Sequence, residues 1–322
     1  MNRVGITATL AVVAGLALAG PLLSGYALAV VYQTLVYLAL AYGWNIISGY
    51  AGYFSFGQIT FFGIGAYVTA LAVTNAHLDW RVGALLGGVV AVALALPIGA
   101  IMLRLRGPFF SLGMLGLAQT VRVLISSSEA TGGGTGIYLP VSVNPLAVYE
   151  WTLGVAVFAF LVTVAIDRSA FGMRLRALRE DQQVAGTLGV DVTGAKIRAF
   201  LISALIPGLL GGGYAMYLTL VEPASAFSTR LELQSIVMTV FGGLGTVWGP
   251  LVGGIVMSQI SEALWARFPQ AYLMIFGGLL VLFLIVLPRG IVPALADRLK
   301  RRGGPRSPES AGVRGIARET VA

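Results

Sequence analysis

Residues 231–264 read Leu-Glu-Leu-Gln-Ser-Ile-Val-Met-Thr-Val-Phe-Gly-Gly-Leu-Gly-Thr-Val-Trp-Gly-Pro-Leu-Val-Gly-Gly-Ile-Val-Met-Ser-Gln-Ile-Ser-Glu-Ala-Leu, an apolar run of 34 residues. A single helix of that length would reach about 50 Å, far beyond a hydrocarbon core of roughly 30 Å. Gly242, Gly243, Gly245 and the pair Gly249-Pro250 supply the breaks. The stretch therefore predicts two short or broken helices near 233–264, which cross twice rather than once.

The rest of the chain supports a membrane setting. Of 322 residues, 57% are apolar and 11% are charged, against roughly 25% charged in soluble domains. Mean hydropathy is +0.87, too apolar for a chain of this size to cover itself with polar surface. Cutting at Pro, Gly and charge gives further spans near 6–23, 26–47, 52–73, 82–103, 108–125, 151–166, 199–220 and 271–287. The expected fold is an all-α polytopic membrane protein of about ten transmembrane helices. Arg3, the apolar run after it and Ala17-Leu18-Ala19 also resemble a signal peptide; we expect a retained helix, with nine spans if it is cleaved.

Net charge is +8, yet 14 of the 21 basic residues fall in two stretches, six in 167–198 and eight in 289–322. Such clustering is a topology signal, because short basic loops stay in the cytoplasm. Both stretches are placed inside, with both termini cytoplasmic and 126–150 outside. No aromatic and basic groove pattern points to nucleic acid. Residues 1–296 form one transmembrane domain, and 297–322, rich in Arg, Gly, Pro and Ser, form a disordered basic cytoplasmic tail.

Zero cysteines and the single His77 leave no metal cluster and no thiol chemistry. No catalytic residue is assigned. Nearly every Asp and Glu maps to a loop or helix end, whereas ion-coupled carriers place carboxylates inside their spans. The nearest approach to a phosphate-binding Gly-x4-Gly-Lys-Ser/Thr is Gly189 to Gly194, which continues with Ala195. Any driving force comes from another subunit.

Three stretches remain. Gly49-Tyr-Ala-Gly-Tyr-Phe-Ser-Phe-Gly-Gln58 places glycines and polar groups where a lipid-facing helix wants Leu. Irregular backbone at membrane depth is buried in protein or lines a watery cavity, so Gly49, Gly52, Ser55, Gly57 and Gln58 are candidates for the substrate path. Gly57, Gly63 and Gly65 have a second reading as close helix contacts. Thr131-Gly-Gly-Gly-Thr-Gly136 reads as an outer loop or gate. Arg174 to Leu188 reads as a short amphipathic helix with Leu175, Leu178, Ala185 and Leu188 near one face, suited to membrane lipid or a partner's groove. Ser48 to Gly52 in the first half and Gly242 to Gly249 in the second hint at an internal repeat.

Together these stretches resemble the permeases of ABC importers for branched-chain amino acids, in particular the LivM-type subunit, over nearly the whole chain. Asn45, Gly49, Gly52, Ser55, Gly57, Phe62, Gly65, Ala66 and Tyr67 match one motif of that family, with Tyr53 and Gln58 departing from it. Gly172, Arg176, Ala177, Arg179, Glu180, Ala185, Leu188, Gly189, Lys196, Ala199 and Phe200 look like its ATPase-docking segment, within 167–198. Ser235-Ile236 and Gly242 to Pro250 look like its C-terminal motif. The resemblance implies coupling through Arg176, Arg179, Glu180, Asp181, Ala185 and Gly189.

The partners it implies are a LivH-type permease subunit, two cytoplasmic ABC ATPase subunits holding ATP and Mg, and a periplasmic substrate-binding protein. The chain itself would hold no cofactor and sit in the bacterial inner membrane. Branched-chain or other hydrophobic amino acids are the expected cargo. Urea or short amides, or a secondary carrier driven by an ion gradient, are the alternatives.

Overall fold

The structure, a computed structural model, describes residue 20, residues 25–139 and 143–268, and residues 271, 274–275, 277–278 and 290–294. The span expected at 6–23, most of that at 271–287 and the tail 297–322 lie outside the described residues.

Helix α1, Gly25–Trp44, continues into a π-helical turn, Asn45–Tyr50. Every residue from Leu35 to Tyr50 is buried, so the second half of α1 and its π-turn lie inside the protein. Residues 51–57 are not helical. The expected span 52–73 consequently starts later, as α2, Gln58–Thr74, because Gly52 takes a left-handed φ of +78° and interrupts the helix. Ser48 Oγ donates to the Tyr53 carbonyl at 2.9 Å and Trp44 Nε1 to that of Ser55 at 2.7 Å. The irregular stretch thereby runs back along the end of α1 with its Tyr53 and Ser55 carbonyls paired within the protein, as backbone at membrane depth needs.

Helices α3, Trp80–Met102, and α4, Pro108–Ser127, follow. Asp79 caps α3 by accepting from the Arg81 N–H at 2.8 Å, and Pro108 opens α4 at a position that needs no N–H. The buried face of α3 is a stripe of small residues, Gly83, Ala84, Gly87, Gly88, Ala91, Ala95 and Gly99, while Val82, Leu85, Leu86, Val89, Leu94 and Leu96 point outward. Small inside and large outside inverts the order of a soluble helix. It suits a helix whose outer solvent is lipid.

The glycine-rich stretch after α4 forms two 3-10 turns, Glu129–Thr131 and Gly133–Thr135, and then a strand, β1, Ile137–Tyr138. The all-α expectation gives way here to one small antiparallel ribbon, in which β1 pairs with β2, Leu220–Val221. Helix α5, Pro145–Arg168, starts six residues before the expected Trp151, since Asn144 caps it and Pro145 opens it.

The basic segment forms α6, Ala170–Glu180, and α7, Gln182–Thr187. One helix was expected across it. Asp181 breaks it by turning its carboxylate onto the N–H groups of Gln183 and Val184, at 2.7 and 3.1 Å, an N-cap for α7. Helix α8, Val192–Leu218, is longer than the expected 199–220 span, because Asp191 caps it upstream of Lys196 and Arg198.

Among the described residues, helices α2, α3 and α8 form the most extensive helix contact. A Cβ on Gly65 would overlap the Gly208 carbonyl, and one on Gly87 would lie 2.8 Å from that of Gly65. Backbone meets backbone there, which answers to the close-contact reading of Gly65.

A short turn of helix, α9, Pro223–Ala226, leads to α10, Thr229–Gly242, and α11, Gly249–Arg267. The split expected in 231–264 falls at those glycines. Cross-helix hydrogen bonds fix this hairpin to α1: Tyr37 to Gln234, Thr34 to Ser258 at 3.2 Å, and Thr239 to the Ala41 carbonyl at 3.2 Å. Five described helices are long and apolar enough to cross a membrane: α1 with its π-turn, α3, α4, α5 and α8. Of the eight spans expected in this part, α2 and α10 are shorter than that and α11 carries Ser258, Gln259, Ser261 and Glu262. The chain is a multi-pass helical membrane protein.

Candidate functional site

The two glycine turns that the sequence pairs as repeat units touch each other. Asn45, in the π-turn, donates from Nδ2 to the Thr246 carbonyl at 3.0 Å and accepts the Gly245 N–H on Oδ1 at 2.9 Å. Tyr42 Oη donates to the Val247 carbonyl at 3.0 Å. Gly49 lies so close that a Cβ there would overlap Asn45 Oδ1 and sit 2.6 Å from the Gly245 nitrogen. Only glycine fits that approach.

Arg179 of α6 closes the junction. Its Nη1 donates to the Gly49 carbonyl at 2.6 Å. A Cβ on Gly245, whose φ is +69°, would lie 2.6 Å from the same Nη1, and one on Gly52 would lie 3.0 Å from Arg179 Cγ. One arginine thus rests against three glycines from two distant parts of the chain, its guanidinium on Gly49 and Gly245 and its stem on Gly52. The hydrogen bond is charge-assisted and stronger than a neutral one.

A second tie lies beside it. Gln182 of α7 donates from Nε2 to Tyr53 Oη at 2.7 Å, and Lys196 Nζ donates to Gln182 Oε1 at 2.7 Å while sitting 4.8 Å from the centre of the Tyr53 ring. Gln182 escaped the sequence reading. Tyr53, a departure from the family motif, was its one signal.

The other coupling candidates have different surroundings. Arg176 binds back to Asp167 at 2.8 Å, and Tyr50 Oη donates to the same carboxylate at 3.2 Å, which ties the start of α6 to α5 and the π-turn. Glu180 and Asp181 are exposed, Ala185 is buried, and Gly189 is left-handed with open space around it. Leu175, Leu178 and Ala185 are buried, but Leu188, expected on that face, is 78% exposed. The break at Asp181 rotates it outward. Val184 and Met173 are exposed with it, so apolar and acidic groups alike are open along α6 and α7.

Among the substrate-path candidates, Ser55 and Gln58 are buried and Gly57 packs on Met114 of α4. Gln58 donates from Nε2 to the Gly43 carbonyl at 3.2 Å, while its N–H meets Glu232 Oε1 at 2.8 Å. Gly57 offers α2 no side-chain cap, so a carboxylate from α10, only 3% exposed, caps it from outside. A lone Glu near the start of an apolar run gives no hint of that role in sequence.

Apolar helices long enough to cross a membrane, packed around two glycine turns that meet at one arginine, define a multi-pass membrane protein. Residues 26–285 match the family described as branched-chain amino acid transport system permease component, and the chain belongs to that family. It is 28% identical to the high-affinity branched-chain amino acid transport system permease protein LivM of Salmonella typhimurium, over 87% of this chain and 73% of that one. The LivM protein of Escherichia coli is 27% identical, over 86% and 72%. The LivH permease of Escherichia coli is 24% identical, over 80% and 91%. No solved structure gives a significant match.

Proposed function

We propose that the chain is the LivM-type permease subunit of an ATP-driven importer for branched-chain or other hydrophobic amino acids. In this reading it pairs with a LivH-type permease in the inner membrane. Two cytoplasmic ATPases bind ATP and Mg, and a periplasmic binding protein delivers the cargo. Residues 167–198 face the cytoplasm, as do both termini and the tail after 296.

The observation that carries the reading is the contact of Arg179 with the Gly49 carbonyl and Gly245. Closure of the ATPases displaces α6 and α7, whose free side offers Met173, Glu180, Asp181, Val184 and Leu188 as a docking surface. Arg179 and the Gln182–Tyr53 bond pass that displacement to the π-turn and to the hinge of the α10–α11 hairpin. The end of α1 then shifts against the hairpin and alternates access to the path between them. Nucleotide state can drive this only by favouring one arrangement over the other.

Reconstitution tests it. Leucine uptake into proteoliposomes is expected only when both permeases, the ATPases, the binding protein and ATP are all present. Uptake by the isolated chain down or against an ion gradient would sink the proposal.

A further inference from the structure

We propose that the cavity between α1, α10 and α11 binds a zwitterionic α-amino acid, with Arg230 taking the carboxylate and Glu262 the ammonium. The proposal rests on the importer reading above and adds a site to it. The cavity measures about 440 Å³, within the usual range for small-molecule sites. It lies at the far end of the hairpin from the Arg179 junction: Leu231, in its wall, precedes Gly242 by eleven residues, about 16 Å of helix.

Among the described residues its lining holds two charged side chains, of opposite sign, on different helices. Charges of both signs in one lining complement a zwitterion better than an anion or a cation, and a neutral urea or amide needs neither. Arg230 is exposed at the start of α10 and Glu262 half-buried within α11, so both are open to a ligand entering from outside. Glu262 is oriented by Tyr26, whose Oη donates to Oε1 at 2.9 Å. Thr34 and Ser258 meet within the lining at 3.2 Å, and Val30 with Leu231 gives an apolar wall for an aliphatic side chain. Glu232, two residues from Arg230, does not line this space; it is occupied at the N-terminus of α2.

The test uses the complete importer in proteoliposomes, with radiolabelled leucine delivered by its binding protein, and compares the parent with Arg230→Gln and Glu262→Gln. Two rates are read: leucine uptake, and ATP hydrolysis stimulated by the loaded binding protein. Each variant is expected to lose uptake by about tenfold or more, as removal of a hydrogen bond to a charged group implies, with stimulated hydrolysis kept near the parent's. Kept hydrolysis shows that the variant has folded and assembled. Uptake close to the parent's in either variant overturns the site. Parallel loss of both rates also overturns it, assigning this face to docking of the binding protein. A parent complex that takes up no leucine removes the importer reading itself, so that failure is seen before any variant is compared.

Discussion

Arg179 concentrates what a single side chain can contribute. Its hydrogen bond to the Gly49 carbonyl at 2.6 Å belongs to a class of contact worth about 1.5–3 kcal/mol. Arg179→Ala is expected to leave ATP hydrolysis running while leucine uptake falls by about tenfold or more, measured in the reconstituted complex; tightly coupled transport in that variant would refute its role. Gly245→Ala forces a methyl group into space 2.6 Å from the guanidinium at a φ of +69°, at a cost of about 1–3 kcal/mol. A lowered melting temperature is expected, partly recovered in the Arg179→Ala/Gly245→Ala double variant, since contacting residues do not behave additively. At Glu232, Ala leaves the Gln58 N–H without its acceptor. Loss of about 1–3 kcal/mol is expected in a denaturation assay, with Gln retaining part of it.

At the level of elements, the sequence disclosed most where chain geometry allowed few alternatives. Too long an apolar run, broken by Gly242 to Gly245 and Gly249-Pro250, yielded the α10–α11 hairpin at those residues. The later start of α2 and the division of α6 from α7 were hidden, because each depends on one residue whose backbone or side chain departs from its local pattern: Gly52 and Asp181. Glu232 was less legible still, as its partner lies 174 positions away. The inverted amphipathy of α3 makes a separate forecast. Leu85, 53% exposed, should tolerate Val within about 0.5 kcal/mol, whereas Leu85→Asp should cost about 2.5–3.5 kcal/mol if that face meets lipid. Yield of folded protein in membranes measures both; equal yields would place α3 against water or a partner.

For the whole molecule the decisive question is which way round it sits. Since the chain has no cysteine, a single one introduced at an exposed position reports its side without background. With an impermeant thiol reagent, Glu180→Cys is expected to label only in inverted vesicles, and His77→Cys only in intact cells with a permeabilised outer membrane. Outside labelling at 180 would remove α6 and α7 from the reach of any cytoplasmic ATPase.

The shared seat of Arg179 has one more implication. Gly49 and Gly245 come from opposite halves of the chain, yet both are pressed against the same nitrogen. In the proposed importer, withdrawing that nitrogen would remove the same contact from both at once, leaving Asn45 as the tie between them. On that proposal, synchrony between the halves would need no relay through the bundle, because a single latch would serve both doors.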